Sequence, residues 1–267
     1  MPLPGASPGC RRQYAAEVEN SRKTPITYAI ALLGAAVLLT GCESDTSPDA
    51  EGARGSGPGA VGPLANPDGT RPGLAPVADG DRAAARKLIG SLATKGRGPG
   101  TGYEREKFGR AWSDTADGVP LARNGCDTRN DLLRRDGREL RFRDGSDCVV
   151  VAMTLADPYT GKDIVWKKAK AAEVQIDHVV PLAYGWRMGA ARWPADKRER
   201  FANDALNLLP VDGRANQAKR DSGPASWLPP NKGVRCAYAV RFAQVAKEYA
   251  LPVTAPDRNM MLKQCGS

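Results

Sequence analysis

Four cysteines constrain the later part of this chain more than any other feature: Cys126, Cys148, Cys236 and Cys265. In an oxidising compartment four thiols can pair in three ways. The two sequence-local pairings, Cys126–Cys148 and Cys236–Cys265, are the ones expected. Each closes a loop of about two to three dozen residues and contributes roughly 3–4 kcal/mol in the chain-entropy model. A zinc site is the competing use of cysteine. It is disfavoured because no C-x-x-C pair occurs and the single histidine lies far away in sequence.

The oxidising compartment is inferred from the start of the chain. Residues 25–41, within "TPITYAIALLGAAVLLTGC", carry no charge and follow Arg11, Arg12, Arg22 and Lys23. The run is short for a membrane-spanning helix, which needs about 20 apolar residues. Its layout is that of a signal peptide, with an uncleaved membrane anchor as the alternative. The stretch Leu39-Thr40-Gly41-Cys42 resembles the lipobox of bacterial lipoproteins, which implies lipidation at Cys42 and attachment to the outer side of the cytoplasmic membrane, or secretion. Residues 43–78 are rich in Gly, Pro, Ala and Ser without apolar periodicity and read as a disordered tether. The expected organisation is therefore a leader over 1–42, a linker over 43–78 and one folded domain over 79–267.

Composition narrows function little. The chain holds 39 Lys and Arg against 30 Asp and Glu, a formal charge of +9 with one histidine. That excess permits polyanion partners such as nucleic acid or an anionic envelope surface. An Arg-, Ala- and Gly-rich composition drawn from a GC-rich genome gives the same charge. No internal period appears, which excludes solenoids and propellers.

From residue 79 the pattern turns helical. "DRAAARKLIGSLAT" places Ala84, Leu88 and Leu92 one turn apart, and "YEREKFGRAW" sets Phe108 and Trp112 on one expected core-facing stripe. "CDTRNDLLRRD" reads as a further short helix. "DCVVVAMTLADPYTGKDIVWKKA" reads as a hairpin turning at Asp157-Pro158-Tyr159-Thr160-Gly161. A third strand covers 173–179 and ends before Pro181. Helices are expected at 183–190, 195–203, 235–249 and 256–264, with a short strand in "ALNLLPV". Trp186, Trp193 and Trp227 are read as packing residues. Strands gathered in the middle with flanking helices make the class α+β.

Three pieces after residue 170 then fall in order: "DHVVP", "LNLLPV" and "NQAKRDSGP". Here the sequence resembles the HNH nucleases, and in particular secreted or lipid-anchored bacterial HNH proteins related to the C-terminal domain of GmrSD-type restriction enzymes. The likeness continues through "GYEREKFGRAW", "CDTRND", "DPYTG" and "CAYAVRF". It implies a ββα core around one divalent ion, Mg²⁺ or alternatively Mn²⁺. By the resemblance, His178 is the general base, Asp177 and Asn216 hold the metal, and Asn207 either holds the imidazole or shapes the loop. Lys219 and Arg220 are expected phosphate contacts.

The residue types suit those roles. A neutral imidazole can activate water, and a hard cation on oxygen ligands can neutralise a phosphoryl group. Adjacent strand residues face opposite sides, so Asp177 and His178 share a site only where the strand is ending. The function expected is endonucleolytic hydrolysis of DNA, with RNA as a second substrate class, outside the cytoplasm and with little sequence specificity. The alternative is a non-catalytic envelope lipoprotein that binds nucleic acid or another polyanion. No segment requires an obligate protein partner.

Overall fold

A computed structural model describes residues 59–266. The expected leader, its Cys42 and the first part of the expected tether lie outside the described residues. In chain order the elements are α1 (Arg82–Gly90), α2 (Thr128–Asp136), β1 (Gly137–Phe142), β2 (Val150–Ala156), β3 (Asp163–Lys167), β4 (Val174–His178), α3 (Leu182–Met188), α4 (Ala195–Asn203), β5 (Leu208–Asp212), α5 (Gly213–Lys219), α6 (Arg235–Glu248) and α7 (Ala255–Gln264). The strands form two small antiparallel sheets, β1-β2-β3 and β4-β5. The α+β class therefore holds.

Alternation decides which faces are covered. In the first sheet Val150, Met153, Leu155 and Trp166 are buried, while Val165, one pleat away from Trp166, is 74% exposed. These inward residues join Leu132 and Leu133 of α2 and Val174, Ile176 and Leu208 of the second sheet in one core. The other face of the β4–β5 ribbon, through Leu209 and Val211, joins a larger core built around α6. Helix α6 is apolar nearly all round, with Tyr238, Val240, Phe242 and Val245 completely buried, as suits a central helix. The β4–β5 ribbon thus lies between two cores, which fixes its position from both sides.

Both expected disulfides are present. Cys126–Cys148 holds the chain entering α2 to the chain entering β2, and Cys236–Cys265 clamps the start of α6 to the end of α7. Three expectations need correction. The inward face of α1 is centred on Ala85 and Ile89; of the expected trio Leu92 is buried, Leu88 packs at the core's edge and Ala84 is exposed. Phe108 is buried in a single 3-10 turn, Arg105–Phe108, whereas Trp112 sits four residues on in irregular backbone at φ 59° and is only half-buried. Strand β1 was not foreseen, since "GRELRF" lacks the β-branched run that marks its neighbours.

The largest correction concerns the tether. From residue 59 to 78 the chain is part of the folded body rather than a disordered linker. Val61 donates to the Pro72 carbonyl and Ala75 donates to that of Val61, both at 3.1 Å, which folds the segment on itself. Asn66 is completely buried and exchanges hydrogen bonds with Arg71 in both directions. Arg135 of α2 donates to the Gly69 carbonyl at 2.6 Å, and Asp136 accepts from the Gly73 amide at 2.5 Å. Gly69 has φ +72°, and a Cβ there would lie 2.5 Å from the backbone of Ala205 and Leu206. Leu74 and Val77 enter the large core. A segment held by turns and buried carbonyls shows no periodicity, so composition alone misassigns it.

Leu74→Ala is expected to cost about 2–5 kcal/mol, as for a core leucine. Urea unfolding of the two proteins checks this; a change within about 0.5 kcal/mol would mark the residue as surface or tether.

Candidate active site

The end of β4 and the later part of α5 meet at an open cleft of 440 Å³, whose walls include Arg105, Trp112, Arg129, His178, Asn216 and Arg220. Strand β4 pairs with β5 in register, Asp177 opposite Leu209 and His178 opposite Leu208. The two side chains go to different neighbours, as the pleat requires. Asp177, like Gln175 before it, meets α5, while His178 meets the end of α4.

His178 is almost fully buried and its Nε2 lies 2.9 Å from the Ala202 carbonyl oxygen. A carbonyl can only accept, so Nε2 carries the proton. Burial and the nearby Arg105 guanidinium lower the imidazole pKa to about 3, against a smaller raising effect of the Ala202 hydrogen bond. The ring is therefore neutral at ordinary pH and its Nδ1 is a bare lone pair. Ala202 belongs to the last turn of α4, whose carbonyls lack partners within the helix. Two of them are satisfied by site residues: Ala202 by His178, and Phe201 by the Asn207 amide at 3.1 Å.

Asn207 does not touch the imidazole. Its Oδ1 accepts from the Val180 amide at 2.8 Å, its amide also donates to the Val180 carbonyl, and its own carbonyl accepts from Val179. Of the two roles expected for it, the geometry matches shaping the loop that follows β4.

Asp177 and Lys219 form a buried pair. The ammonium, completely inaccessible, donates to Asp177 Oδ1 at 2.8 Å and to the His178 carbonyl at 2.7 Å. Asp177 Oδ2 accepts from the Tyr159 hydroxyl at 2.5 Å. Burial raises the carboxyl above the usual range and lowers the ammonium, and each charge opposes the other's shift. Burial also pushes the Tyr159 phenol well up, so it stays a donor. The expected phosphate contact by Lys219 is not what this arrangement provides, because its charge is spent inside the fold. Arg220 lies differently: at φ 54° it ends α5, and its exposed side chain lines the cleft.

Nucleases of HNH type are typically metal-dependent, and a hard cation needs free oxygen donors. Both oxygens of Asp177 accept hydrogen bonds from buried donors, and its charge is balanced by Lys219. Asn216 donates its amide to Gln175 Oε1 at 2.9 Å. No three His, Cys, Asp or Glu side chains converge among the described residues. As arranged, Asp177 has no free oxygen to offer a divalent ion, whereas the Asn216 amide oxygen, on the cleft wall, takes part in no hydrogen bond among the described residues.

Residues 127–264 match the family model of the GmrSD restriction endonucleases, C-terminal domain. The chain belongs to this family. It is also 38% identical over 188 residues to an uncharacterized secreted protein of Arthroderma benhamiae, covering 68% of this chain and 85% of the relative. No solved structure matches significantly. The GmrSD C-terminal match spans α2 to α7 and so contains β4, β5 and α5. Arg105 and Trp112, on the cleft wall, precede it.

Sequence reasoning missed several residues here. Tyr159 was read only as part of a turn, yet Asp157 aims it: the Asp157 carboxylate accepts from the Tyr159, Thr160 and Asp212 amides. The Asp-Pro-x-Thr-Gly pattern was the available signal, since aspartate at such a place bonds its own turn. Arg105 and Arg129 were unmarked. Among the described residues neither they nor Arg220 form an ion pair, so three guanidiniums face the cleft without a carboxylate. Asp221, also on its wall, is paired with Arg187 at 2.6 Å.

Two outcomes follow. Nitrogen-15 NMR of the sole imidazole is expected to show the Nε2–H tautomer, with no titration between pH 8 and about 4. The folded pKa lies below the unfolded value near 6.5, so the unfolded chain binds the extra proton. This group's stabilising contribution is present above pH 6.5 and falls by about 1.4 kcal/mol per unit as pH drops toward 3. Separately, Lys219→Met is expected to destabilise by about 3–5 kcal/mol, because Asp177 is left as a buried unpaired charge; Asp177→Asn on that background should recover part of the loss in denaturant midpoint.

Proposed function

We propose that this chain is an endonuclease hydrolysing phosphodiester bonds of DNA, and of RNA as a second substrate class, outside the cytoplasm. The observation that carries this reading is the 2.9 Å contact of His178 Nε2 with the Ala202 carbonyl, from which its tautomer follows. A buried neutral imidazole, fixed through Nε2–H and offering Nδ1, stands in a cleft with three unpaired guanidiniums. Arginine forks suit phosphate oxygens, and their positions at separate points of the wall fit a backbone threaded between them. In this mechanism His178 Nδ1 takes a proton from water while the water oxygen attacks phosphorus. The bond from phosphorus to the departing nucleoside oxygen breaks, and that oxygen is protonated from solvent. Arg105, Arg129 and Arg220 hold the phosphate and offset the charge that gathers on it.

Guanidiniums directed at phosphate read no base sequence, so little sequence specificity is expected. Two disulfides and a relative named as secreted support a location outside the cytoplasm. Lipidation at Cys42 is the accompanying proposal for how the protein is retained at the membrane.

Nicking of supercoiled plasmid tests the reading. With Mg²⁺ present, the full chain is expected to nick, and His178→Ala to lower the rate by about 10²–10⁴-fold while plasmid binding persists and weakens with salt. Absence of nicking by the folded protein in Mg²⁺, Mn²⁺ and Ca²⁺ would leave the polyanion-binding lipoprotein as the better account.

A further inference from the structure

On the other side of His178 lies a second, smaller recess of 270 Å³. Arg105, Trp112, His178 and Leu182 line both it and the main cleft, so these four form the ridge between the two spaces. The two differ in chemistry. The cleft carries the guanidiniums, whereas the recess is floored by Phe108, Leu182 and Ala202 with backbone from 109–111, and its rim holds Arg105, Arg110 and one carboxylate, Glu106.

Trp112 is held in an unusual way at this ridge. Its φ of 59° is one that a bulky side chain rarely adopts. The peptide group that follows it is pinned at both polar atoms: the Trp112 carbonyl accepts from Thr128, and the Ser113 amide donates to Asn203 at 2.9 Å. The indole lies nearly parallel to the imidazole, with ring centroids 6.1 Å apart and planes 19° from parallel. Left-handed backbone at a half-buried tryptophan, over-determined by its neighbours, is the kind of strain that accompanies a functional site.

We propose that this recess is a nucleobase subsite. The base next to the phosphate held in the cleft turns out of its strand and lodges between Trp112 and Phe108, above Leu182. The inference rests on the phosphodiesterase reading of the cleft and adds a substrate class to it. A base has a flat apolar face that suits the floor, and its flanking phosphates suit Arg105 and Arg110 at the rim. In a duplex the bases are paired inside the helix and cannot enter a recess without unstacking. The preferred substrate is therefore single-stranded nucleic acid, bound by stacking beside an arginine-lined track.

Initial cleavage rates of the full chain on three substrates test this: a single-stranded oligonucleotide, its duplex, and the same strand with abasic sites at alternate positions. The single strand is expected to be cut at least about tenfold faster than the duplex. Trp112→Ala is expected to slow single-strand cleavage by about tenfold or more, within the range that loss of one stacked base produces, and Trp112→Phe to recover most of it. On the abasic strand Trp112→Ala should change little, because the partner of the indole is already gone. Equal losses on normal and abasic strands would overturn the proposal, since Trp112 would then act only through His178. Brisk duplex cleavage indifferent to Trp112→Ala would overturn the base subsite and leave the nuclease standing. Failure to cut any of the three would remove both.

Discussion

The buried pair of Lys219 and Asp177 is the interaction on which the site's geometry depends. A lysine ammonium with no access to water must be neutralised and hydrogen-bonded. Here one bond goes to the side chain of Asp177 and another to the main chain of His178. Helix α5 is thereby fastened to the last two residues of β4. Through Tyr159 the same carboxylate reaches the β2–β3 hairpin, whose turn is built by Asp157. Three chain segments that share few other polar contacts are thus held at one point. Gly213 shows how close the approach is, since a Cβ there would meet the Ala172 carbonyl at 2.0 Å.

The imidazole is governed by a different balance. The carbonyls at the end of α4 favour a cation nearby, and the bond to Ala202 acts in that direction. Desolvation and Arg105 outweigh it, so the ring stays neutral. An imidazole of low pKa is a weaker proton acceptor but is not lost to protonation above mild acidity. The same surroundings that weaken it also fix its tautomer, through the bond to Ala202.

How far the sequence reveals this depends on the kind of signal. The hairpin and the strand ending near Pro181 were legible from a β-branched run and turn residues, and helices α4, α6 and α7 as runs that follow a proline. The disulfide pairs were legible because locality in sequence restricts the choice. His178 stood out as the only imidazole, and Asn207 as the one polar residue of the run "ALNLLPV", although it closes the 3-10 turn before β5 rather than lying in the strand. What could not be read were relations between segments. Nothing local says that Lys219 turns inward while Arg220, one residue on, turns out; a left-handed φ at the end of α5 separates them. The contribution of 59–78 was hidden for the same reason, because its partners Arg135, Asp136 and Arg241 lie far along the chain.

The cleft is assembled from two stretches of the chain. His178, its carbonyl partner Ala202 and the helix behind them lie within the family-matched residues 127–264, whereas Arg105, Phe108 and Trp112 come from before it. The earlier stretch packs through one 3-10 turn and irregular backbone, a construction that tolerates substitution better than a paired strand. Substitutions there can therefore alter what enters the cleft without disturbing His178 and the groups that hold it. One wall of the cleft is adjustable while the other is fixed by two cores.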